Sequence, residues 1–240
     1  MLVDKRKCIG CKTCNPYCTV GAISIVEWEG KKKSEVNQVE CVECGACLRA
    51  EICPKDAIYQ PDLEWPKSLR ANFSNPHAGH LPGLPSNKPS PEIKLNDITG
   101  RVHENLASVT VEVGRHGVSA TFRDAQTVCM SLGKVGVEFE PTNSLTALME
   151  DTTTGKIKEE VLDERGLHIM IQFNIDNDRL KEALLALKEV STEIDTVFSL
   201  GVTNLVHKDG DIPVLSIAQE VGFVPLPNPK TNVGLGRSLE

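Results

Sequence analysis

The sequence predicts an α+β protein with a cysteine-rich N-terminal domain and a larger α/β domain. Three observations support this prediction. Eight of the nine cysteines fall within the first 53 residues, seven prolines crowd residues 61–91, and regular apolar patterns follow from about residue 109. The length of 240 residues suits one large or two modest domains, and 40% hydrophobic residues are typical of a globular chain.

The N-terminal cysteines form two copies of one unit. The first copy has the spacing C-x2-C-x2-C-x3-C and comprises Cys8, Cys11, Cys14 and Cys18. The second has the spacing C-x2-C-x2-C-x5-C-P and comprises Cys41, Cys44, Cys47 and Cys53. The likeness extends beyond the cysteines, because residues 18–23 (CTVGAI) align with residues 53–58 (CPKDAI) at an offset of 35 residues. An internal duplication is the simplest explanation.

Disulfides and zinc sites are two possible interpretations of these cysteines. Disulfides need an oxidising compartment, and the charged N-terminus, which runs straight into a cysteine motif, is unlike a secretory signal. Zinc sites usually take two separated C-x2–4-C pairs, so a third cysteine at the same short spacing is surplus there. The spacing therefore favours neither of these two interpretations.

Residues 1–60 resemble the bacterial-type ferredoxins that carry two 4Fe–4S clusters. The resemblance implies that the fourth cysteine of each run binds the cluster of the other run. One cluster would then be held by Cys8, Cys11, Cys14 and Cys53, and the other by Cys41, Cys44, Cys47 and Cys18. The physical reason is reach: the three closely spaced cysteines wrap one cluster, while we expect Cys18 to open a helix that points away from its own loop.

Two features depart from that family's pattern. Thr19 stands where proline usually follows the fourth cysteine, and five residues, not three, separate Cys47 from Cys53. The two extra residues should add about half a helical turn, or a bulge, before Cys53. Neither departure removes a ligand.

The charge of residues 1–60 also differs from what the resemblance implies, since free ferredoxins that diffuse between partners are usually acidic. This segment has nine basic and eight acidic residues. Two basic triplets are candidates for docking an acidic catalytic subunit or for offsetting the charge of the clusters, and a solvated surface is the alternative. These residues are Lys5, Arg6, Lys7, Lys31, Lys32 and Lys33.

Residues 61–96 are predicted to be a proline-rich connector, lying extended along a surface. Its His77 and His80 are interpreted as surface residues, not metal ligands. Residues 224–240, with three prolines and two glycines between Val224 and Arg237, are predicted to be an extended C-terminal arm. The connector and the arm are further candidate contacts for a partner, and simple disorder is the alternative for the arm.

Residues 97–223 contain two β-α-β patterns. The first has a strand around 109–113, a helix between a Thr121 cap and Gly133, and a strand over 135–139. The second has a strand over 167–175, an Asp176 cap, a helix over 180–190 and a last strand over 194–200. An insertion at 142–165, with a turn at Thr154 and Gly155, suggests an extra hairpin.

Two such units in tandem predict a ferredoxin-like βαββαβ plait, with helices on one face of an antiparallel sheet. Despite its name, this fold implies no iron. Cys129 lies on the apolar face of the first helix and is interpreted as a buried core thiol.

The expected function is electron transfer by an iron–sulfur subunit of a cytoplasmic oxidoreductase. The net charge of −7 argues against a nucleic-acid partner, and no apolar run reaches the length of a membrane span. Because the chain has no P-loop, dinucleotide fingerprint or zinc-protease motif, we expect no catalytic residues and a separate catalytic partner that carries a pterin, flavin or thiamine cofactor. A redox-linked sensor that uses the plait, and a self-contained iron–sulfur enzyme, are the alternatives.

Overall fold

The structure is a computed structural model that describes residues 1–85, 102–103, 105–207 and 210–224. The later part of the predicted connector, residues 86–96, lies outside the described residues. So does the predicted C-terminal arm from residue 225 onward. Both predictions stay predictions for those residues.

The N-terminal domain is closed by pairing between its two ends. Its elements are β1 (Leu2–Val3), a 3-10 helix (Asn15–Tyr17), β2 (Ile23–Trp28), β3 (Lys31–Val36), α1 (Ala46–Arg49) and β4 (Ile58–Tyr59). β1 pairs antiparallel with β4, while β2 and β3 form a hairpin between the two cysteine runs. The segment that follows the second cysteine run therefore lies beside the start of the chain.

The backbone next to the two fourth cysteines differs from what the sequence suggested. Cys18 follows the 3-10 helix with an extended backbone (φ −78°, ψ 114°), so the prediction that it opens a helix was wrong. Gly21 (φ 68°) turns the chain into β2 within a few residues, which leaves no length for a helix. Before Cys53, α1 ends at Arg49 and Glu51 is left-handed (φ 51°), so the extra residues form a bulge and not a longer helix.

The core of this domain is small and includes cysteines. Its fully packed members are Met1, Cys14, Ala22, Ile23, Val36, Cys41, Cys47 and Ile58. A core of this size gives little hydrophobic stabilisation. We therefore infer that the fold depends on a metal group bound by the cysteines.

The connector contains a helix that the sequence analysis missed. α2 (Ser68–Ser74) buries Leu69, Ala71 and Phe73, and the Phe73 ring packs edge-to-face on Phe122 with 4.9 Å between centroids. The prediction of an extended strap is therefore wrong for these residues. Burial of one apolar face against the second domain stabilises a helix too short to form by itself.

The second domain is built on a four-stranded antiparallel sheet, in which the order of strands is β12 (Phe198–Thr203), β5 (Leu106–Val113), β11 (Ile169–Asp176) and β7 (Glu138–Phe139). Its main elements are β5 (Leu106–Val113), β6 (Ala120–Thr121), α3 (Phe122–Val135), β7 (Glu138–Phe139), β8 (Met149–Asp151), β9 (Lys156–Ile157), β10 (Arg165–Gly166), β11 (Ile169–Asp176), α4 (Leu180–Val190), β12 (Phe198–Thr203) and α5 (Pro213–Val221). The valines of β5 alternate into the core opposite Phe173 and Ile171 of β11. The helices α3 and α4 pack on each other and contribute their apolar faces to the same core.

Several predicted boundaries in this domain were right. Thr121 caps α3 through a reciprocal pair of bonds with Asp124, and the hairpin of β8 and β9 turns at Gly155 (φ 75°). The extent of α4 also matches the prediction.

Other boundaries were wrong. α3 continues through Gly133 to a left-handed Gly136 (φ 77°), because Gly133 serves close packing: a Cβ there would lie 2.5 Å from the Thr154 carbonyl oxygen. As a result β7 keeps only two residues. Asp176 ends β11 and is not the cap of α4, whose cap position is Arg179. The last strand begins at Phe198, four residues later than expected. α5 was not predicted.

Among the described residues, no helix combines the length and the apolar composition needed to cross a bilayer.

Candidate functional site

Four cysteines from both runs line a single cavity in the N-terminal domain. They are Cys8, Cys11 and Cys14 from the first run and Cys53 from the second. Most of the remaining wall is apolar, with Val3, Ile9 and Ile58 among its residues. The pairing of β1 with β4 explains this meeting, because it brings the segment after Cys53 alongside the segment before Cys8.

Backbone amides point at the sulfurs of this set. The N–H groups of Gly10 and Ser34 donate to the Cys8 sulfur at 3.4 and 3.3 Å, and that of Ala57 donates to the Cys53 sulfur at 3.3 Å. Such bonds favour the thiolate form, which is the form that binds metals.

Cys11 is the exposed member of the first set. The Thr13 hydroxyl donates to its sulfur at 3.3 Å. Hydrogen bonds from Thr13 are also the main reason that the pKa of Cys11 lies below its usual value. The first set therefore reaches the protein surface at a thiol that favours its charged form.

The remaining four cysteines of the N-terminal domain form a second set. The pKa of the Cys47 thiol is raised to about 12, mainly by burial and also by the charges of the neighbouring Cys44, Cys18 and Cys41. Cys18 comes from the first run and the other three from the second. Each set thus combines three cysteines of one run with the fourth cysteine of the other run.

Equivalent bonds hold the two fourth cysteines. The Ala22 N–H donates to the Cys18 sulfur at 3.1 Å, as that of Ala57 does to Cys53, and both pairs are four residues apart. The duplicated sequence therefore repeats in the structure. Thr19, which replaces the usual proline, places its hydroxyl 3.2 Å from the Cys44 sulfur.

The residues present fit 4Fe–4S clusters. All nine cysteines lie in described parts of the chain, and all nine are free thiols. Thiolates are the ligands that such clusters take, and each set offers four of them in partly buried surroundings with amide donors to sulfur. The disulfide alternative finds no support in these positions.

An acidic residue that the sequence did not single out lies inside the second cysteine loop. Glu43 is fully buried with a left-handed backbone (φ 54°), and its carboxylate pairs with the Met1 amino group and lies 3.5 Å from the Lys67 Nζ. Burial, with a smaller contribution from the charge of Glu43, raises the pKa of the neighbouring Cys41 thiol. A single glutamate in a loop carries no sequence signal of such burial.

Arg70 of α2 joins this loop to the second domain. Its guanidinium donates to the backbone oxygens of Gln38, Val39 and Cys41 at 2.8, 3.1 and 2.9 Å. The same side chain pairs with Glu164 of the second domain, and both side chains are nearly buried. Nothing in the sequence indicates this contact, because the arginine stands in a segment without apolar periodicity.

The second domain also contacts the chain next to Cys18. The Gly117 N–H donates to the Thr19 carbonyl oxygen at 2.6 Å. Arg165 forms an ion pair with Glu40, one residue before Cys41, at 3.1 Å. Both segments that carry the second cysteine set are therefore held by the second domain.

The two basic triplets are only partly available to a partner. Lys33 is buried, donates to the Cys8 carbonyl oxygen and lies 5.8 Å from the centre of the Trp28 ring, so its interpretation as a docking residue is wrong. Lys5 pairs with Glu35. The four other members, Arg6, Lys7, Lys31 and Lys32, are exposed.

The remaining candidates lie apart from the cysteine sets. Cys129 is fully buried on α3, where burial raises its pKa, in agreement with its prediction as a core thiol. His77 and His80 are exposed in the connector.

The loop between Cys8 and Cys11 requires glycine at position 10. Gly10 is left-handed (φ 71°), and a Cβ there would lie 2.2 Å from the Lys32 carbonyl oxygen. We expect Gly10→Ala to displace this loop and to destabilise the domain by more than the ~1–2 kcal/mol of a left-handed alanine. Anaerobic thermal unfolding, followed by visible absorbance, measures this loss.

Gly21→Ala is the matched control for that substitution. Gly21 has nearly the same backbone angle (φ 68°), but nothing among the described residues lies within 4 Å of the position that a Cβ would take there. Its substitution should cost only the backbone contribution. Equal losses from the two variants would show that the contact with Lys32 is unimportant.

Comparison with known proteins agrees with this geometry. Residues 7–58 match the family described as 4Fe-4S dicluster domain. The chain is similar to one subunit of the ion-translocating oxidoreductase complex of Methanosarcina acetivorans, with 45% identity over 51 residues, or 21% of this chain and 17% of that protein. It is also similar to ferredoxins of Streptomyces griseus and Saccharopolyspora erythraea, with 36% and 38% identity over 64 residues.

These similarities cover only a small part of the chain. The aligned segments span 25% of this chain and 55% of each of the two ferredoxins. No solved structure matches the chain. The N-terminal domain is therefore an iron–sulfur domain of the 4Fe–4S ferredoxin type, and the second domain is not identified by these comparisons.

Proposed function

We propose that this chain transfers electrons as the iron–sulfur subunit of an oxidoreductase. Cys8, Cys11, Cys14 and Cys53 would hold one 4Fe–4S cluster, and Cys18, Cys41, Cys44 and Cys47 would hold the other. The observation that carries the proposal is the cavity that three cysteines of the first run share with the last cysteine of the second. When bound, 4Fe–4S clusters supply reversible electron uptake at potentials set by the surrounding protein.

The chain's own residues tune those potentials. Amide donors to Cys8, Cys18 and Cys53 stabilise negative charge on sulfur, which favours the reduced state. Apolar walls and the buried side of each set exclude water, and this opposes added negative charge. Glu43 and the Met1 amino group form a buried ion pair beside Cys41 of the second set. The two sets should therefore differ in potential.

The second domain is proposed to be a βαββαβ plait that joins the cluster domain to its partner. The strand order β12-β5-β11-β7, with helices α3 and α4 after the first and third strands of the sheet, supports this assignment. In this division residues 1–60 form the cluster domain, 61–96 the connector, 97–223 the plait and 224–240 the arm. None of the four strands of the plait sheet contains a cysteine.

A catalytic subunit is the proposed partner. One relative of the N-terminal domain is named as a subunit of an oxidoreductase complex, which supports a role inside an assembly. The catalytic partner would carry the cofactor that performs bond chemistry. Because eight thiolates must stay reduced, the proposal also places the chain in a reducing compartment such as the cytoplasm.

Anaerobic purification followed by metal analysis tests the proposal. We expect about eight irons and about eight acid-labile sulfides per chain, and bleaching of the visible absorbance after uptake of about two electrons. Electron paramagnetic resonance of the reduced protein should show two interacting centres. Stoichiometric zinc, or iron without sulfide, would contradict the proposal. Purification of the native complex would then identify the partner.

A further inference from the structure

The two cysteine runs are copies of one unit, yet they carry opposite charge. Residues 5–18 contain four basic residues and no acidic one, whereas residues 40–53 contain three acidic residues and one basic one. Both runs offer the same number of thiolates, so cluster binding does not require this difference. The loop that holds three cysteines of the first set is therefore basic, and the loop that holds three cysteines of the second set is acidic.

Exposed lysines surround the point where the first set reaches the surface. Lys12 follows the exposed Cys11, and Lys55 lines the same cavity from the Cys53 side. Lys32 is exposed on β3, and its backbone oxygen lies against Gly10. We call this surface the Cys11 face and define it by Ile9, Cys11, Lys12, Lys32 and Lys55.

The Cys11 face has little apolar area apart from Ile9, which is 57% exposed. Lys32 stands opposite Glu27 in the hairpin, so its charge is partly balanced. Permanent interfaces are more hydrophobic than this, whereas brief electron-transfer encounters use small, charged surfaces. The composition of the face therefore favours a transient interaction with a partner protein.

The segments that carry the second cysteine set are contacted by the second domain of the same chain. Arg70 and Glu164 tie the loop of Cys41 to the second domain, and Gly117 holds the residue after Cys18. The first set has the exposed thiol and the second set has the attached domain. The geometry therefore separates an outer end of the cluster domain from an inner one.

We propose that the Cys11 face is the docking surface for an acidic one-electron carrier protein. This inference rests on the proposed electron-transfer function. The carrier gives up one electron and the chain takes it up, with no bond made or broken, and the reverse transfer uses the same surface. Opposite charges steer the encounter and raise its rate.

The variant Lys12→Glu/Lys55→Glu tests the proposal in the full, cluster-loaded chain. The probe is a fully reduced flavodoxin of acidic surface, mixed with the oxidised chain in an anaerobic stopped-flow experiment. We expect the second-order rate constant at low salt to fall by about tenfold or more, with the difference shrinking as salt is added. Lys12→Gln/Lys55→Gln should give a smaller fall, and it preserves the test if the first variant folds poorly.

The matched control is Lys134→Glu/Lys158→Glu, which makes the same change in net charge at exposed lysines of the second domain. Its rate constant should change less than about twofold, because neither lysine belongs to the Cys11 face. The midpoint potentials of all variants are measured alongside, and reduction by a photoreduced deazaflavin should change far less than reduction by the flavodoxin.

Each result has a distinct meaning. Equal rates for the two charge-reversed variants would overturn the docking proposal. A shift of midpoint potential that slows both reductants alike would also overturn it, because the lysines would then tune the centre and not the encounter. A chain that neither reductant reduces would instead refute the proposed function itself.

Discussion

We expect Cys18→Ser to lose the cluster whose other cysteines are Cys41, Cys44 and Cys47, although Cys18 belongs to the first run. The serine keeps the size of the side chain but replaces the thiolate with a hydroxyl, which is a poor ligand for iron. Because Cys18 and Cys47 are neighbours in the structure, the missing ligand belongs to the second set. The iron content after anaerobic purification should fall by about half.

The reciprocal variant makes this result specific. Cys53→Ser should lose the cluster of Cys8, Cys11 and Cys14, whose cavity Cys53 lines. Electron paramagnetic resonance of the remaining reduced centre should therefore differ between the two variants. Loss in the Cys18 variant confined to the first set would contradict the assignment. Cys129→Ala is the control: it removes a thiol buried in the other domain and should leave the iron content intact.

Replacing Arg70 by methionine should be strongly destabilising although it touches no cysteine side chain. The substitution leaves three backbone oxygens without their donor and leaves Glu164, only 13% exposed, without its partner. Breaking a buried ion pair in this way costs about 3–5 kcal/mol. The loss should appear in anaerobic denaturant unfolding as earlier separation of the two domains, and in hydrogen exchange as exposure of residues 38–41.

Arg123→Met is the matched control for the Arg70 variant. Arg123 pairs with Asp163 at 2.7 Å, but both side chains are largely exposed and water competes with the pair. Its loss should be much smaller. The double variant Arg70→Met/Glu164→Gln should recover part of the stability, because it no longer buries an unpaired carboxylate. Similar unfolding curves for Arg70→Met and Arg123→Met would show that the bridge between the domains contributes little.

The candidate site was predictable from sequence to the extent that cysteine spacing is a local property. Three cysteines at short intervals mark each loop, and the repeat marks a duplication. Which set each fourth cysteine approaches came from a resemblance, since nothing within a run fixes where its last member goes. The expected helix after Cys18 was wrong, because Gly21 and the Ala22 bond to sulfur turn the chain at once.

In the second domain, too, local patterns were predictable and tertiary contacts were not. Alternating valines in β5 and the apolar stripe of α4 identified those elements, because each pattern reports burial of one face. The end of α3 was misplaced because a glycine can serve either a cap or a close contact, and Gly133 serves the contact with Thr154. The short α2 escaped notice among prolines, since its stability comes from its neighbours.

By itself, the sequence determined the two cysteine runs, the excess of positive charge at the first run, and the order of the four sheet strands and of helices α3 and α4 along the second domain. Only the tertiary structure decided that Lys33 and Glu43 are buried, that Arg70 joins the domains, and that Cys11 is the exposed thiol. The physical reason is the range of the interactions. Spacing and periodicity act between residues near in sequence, whereas burial and ion pairing depend on segments that meet only after folding.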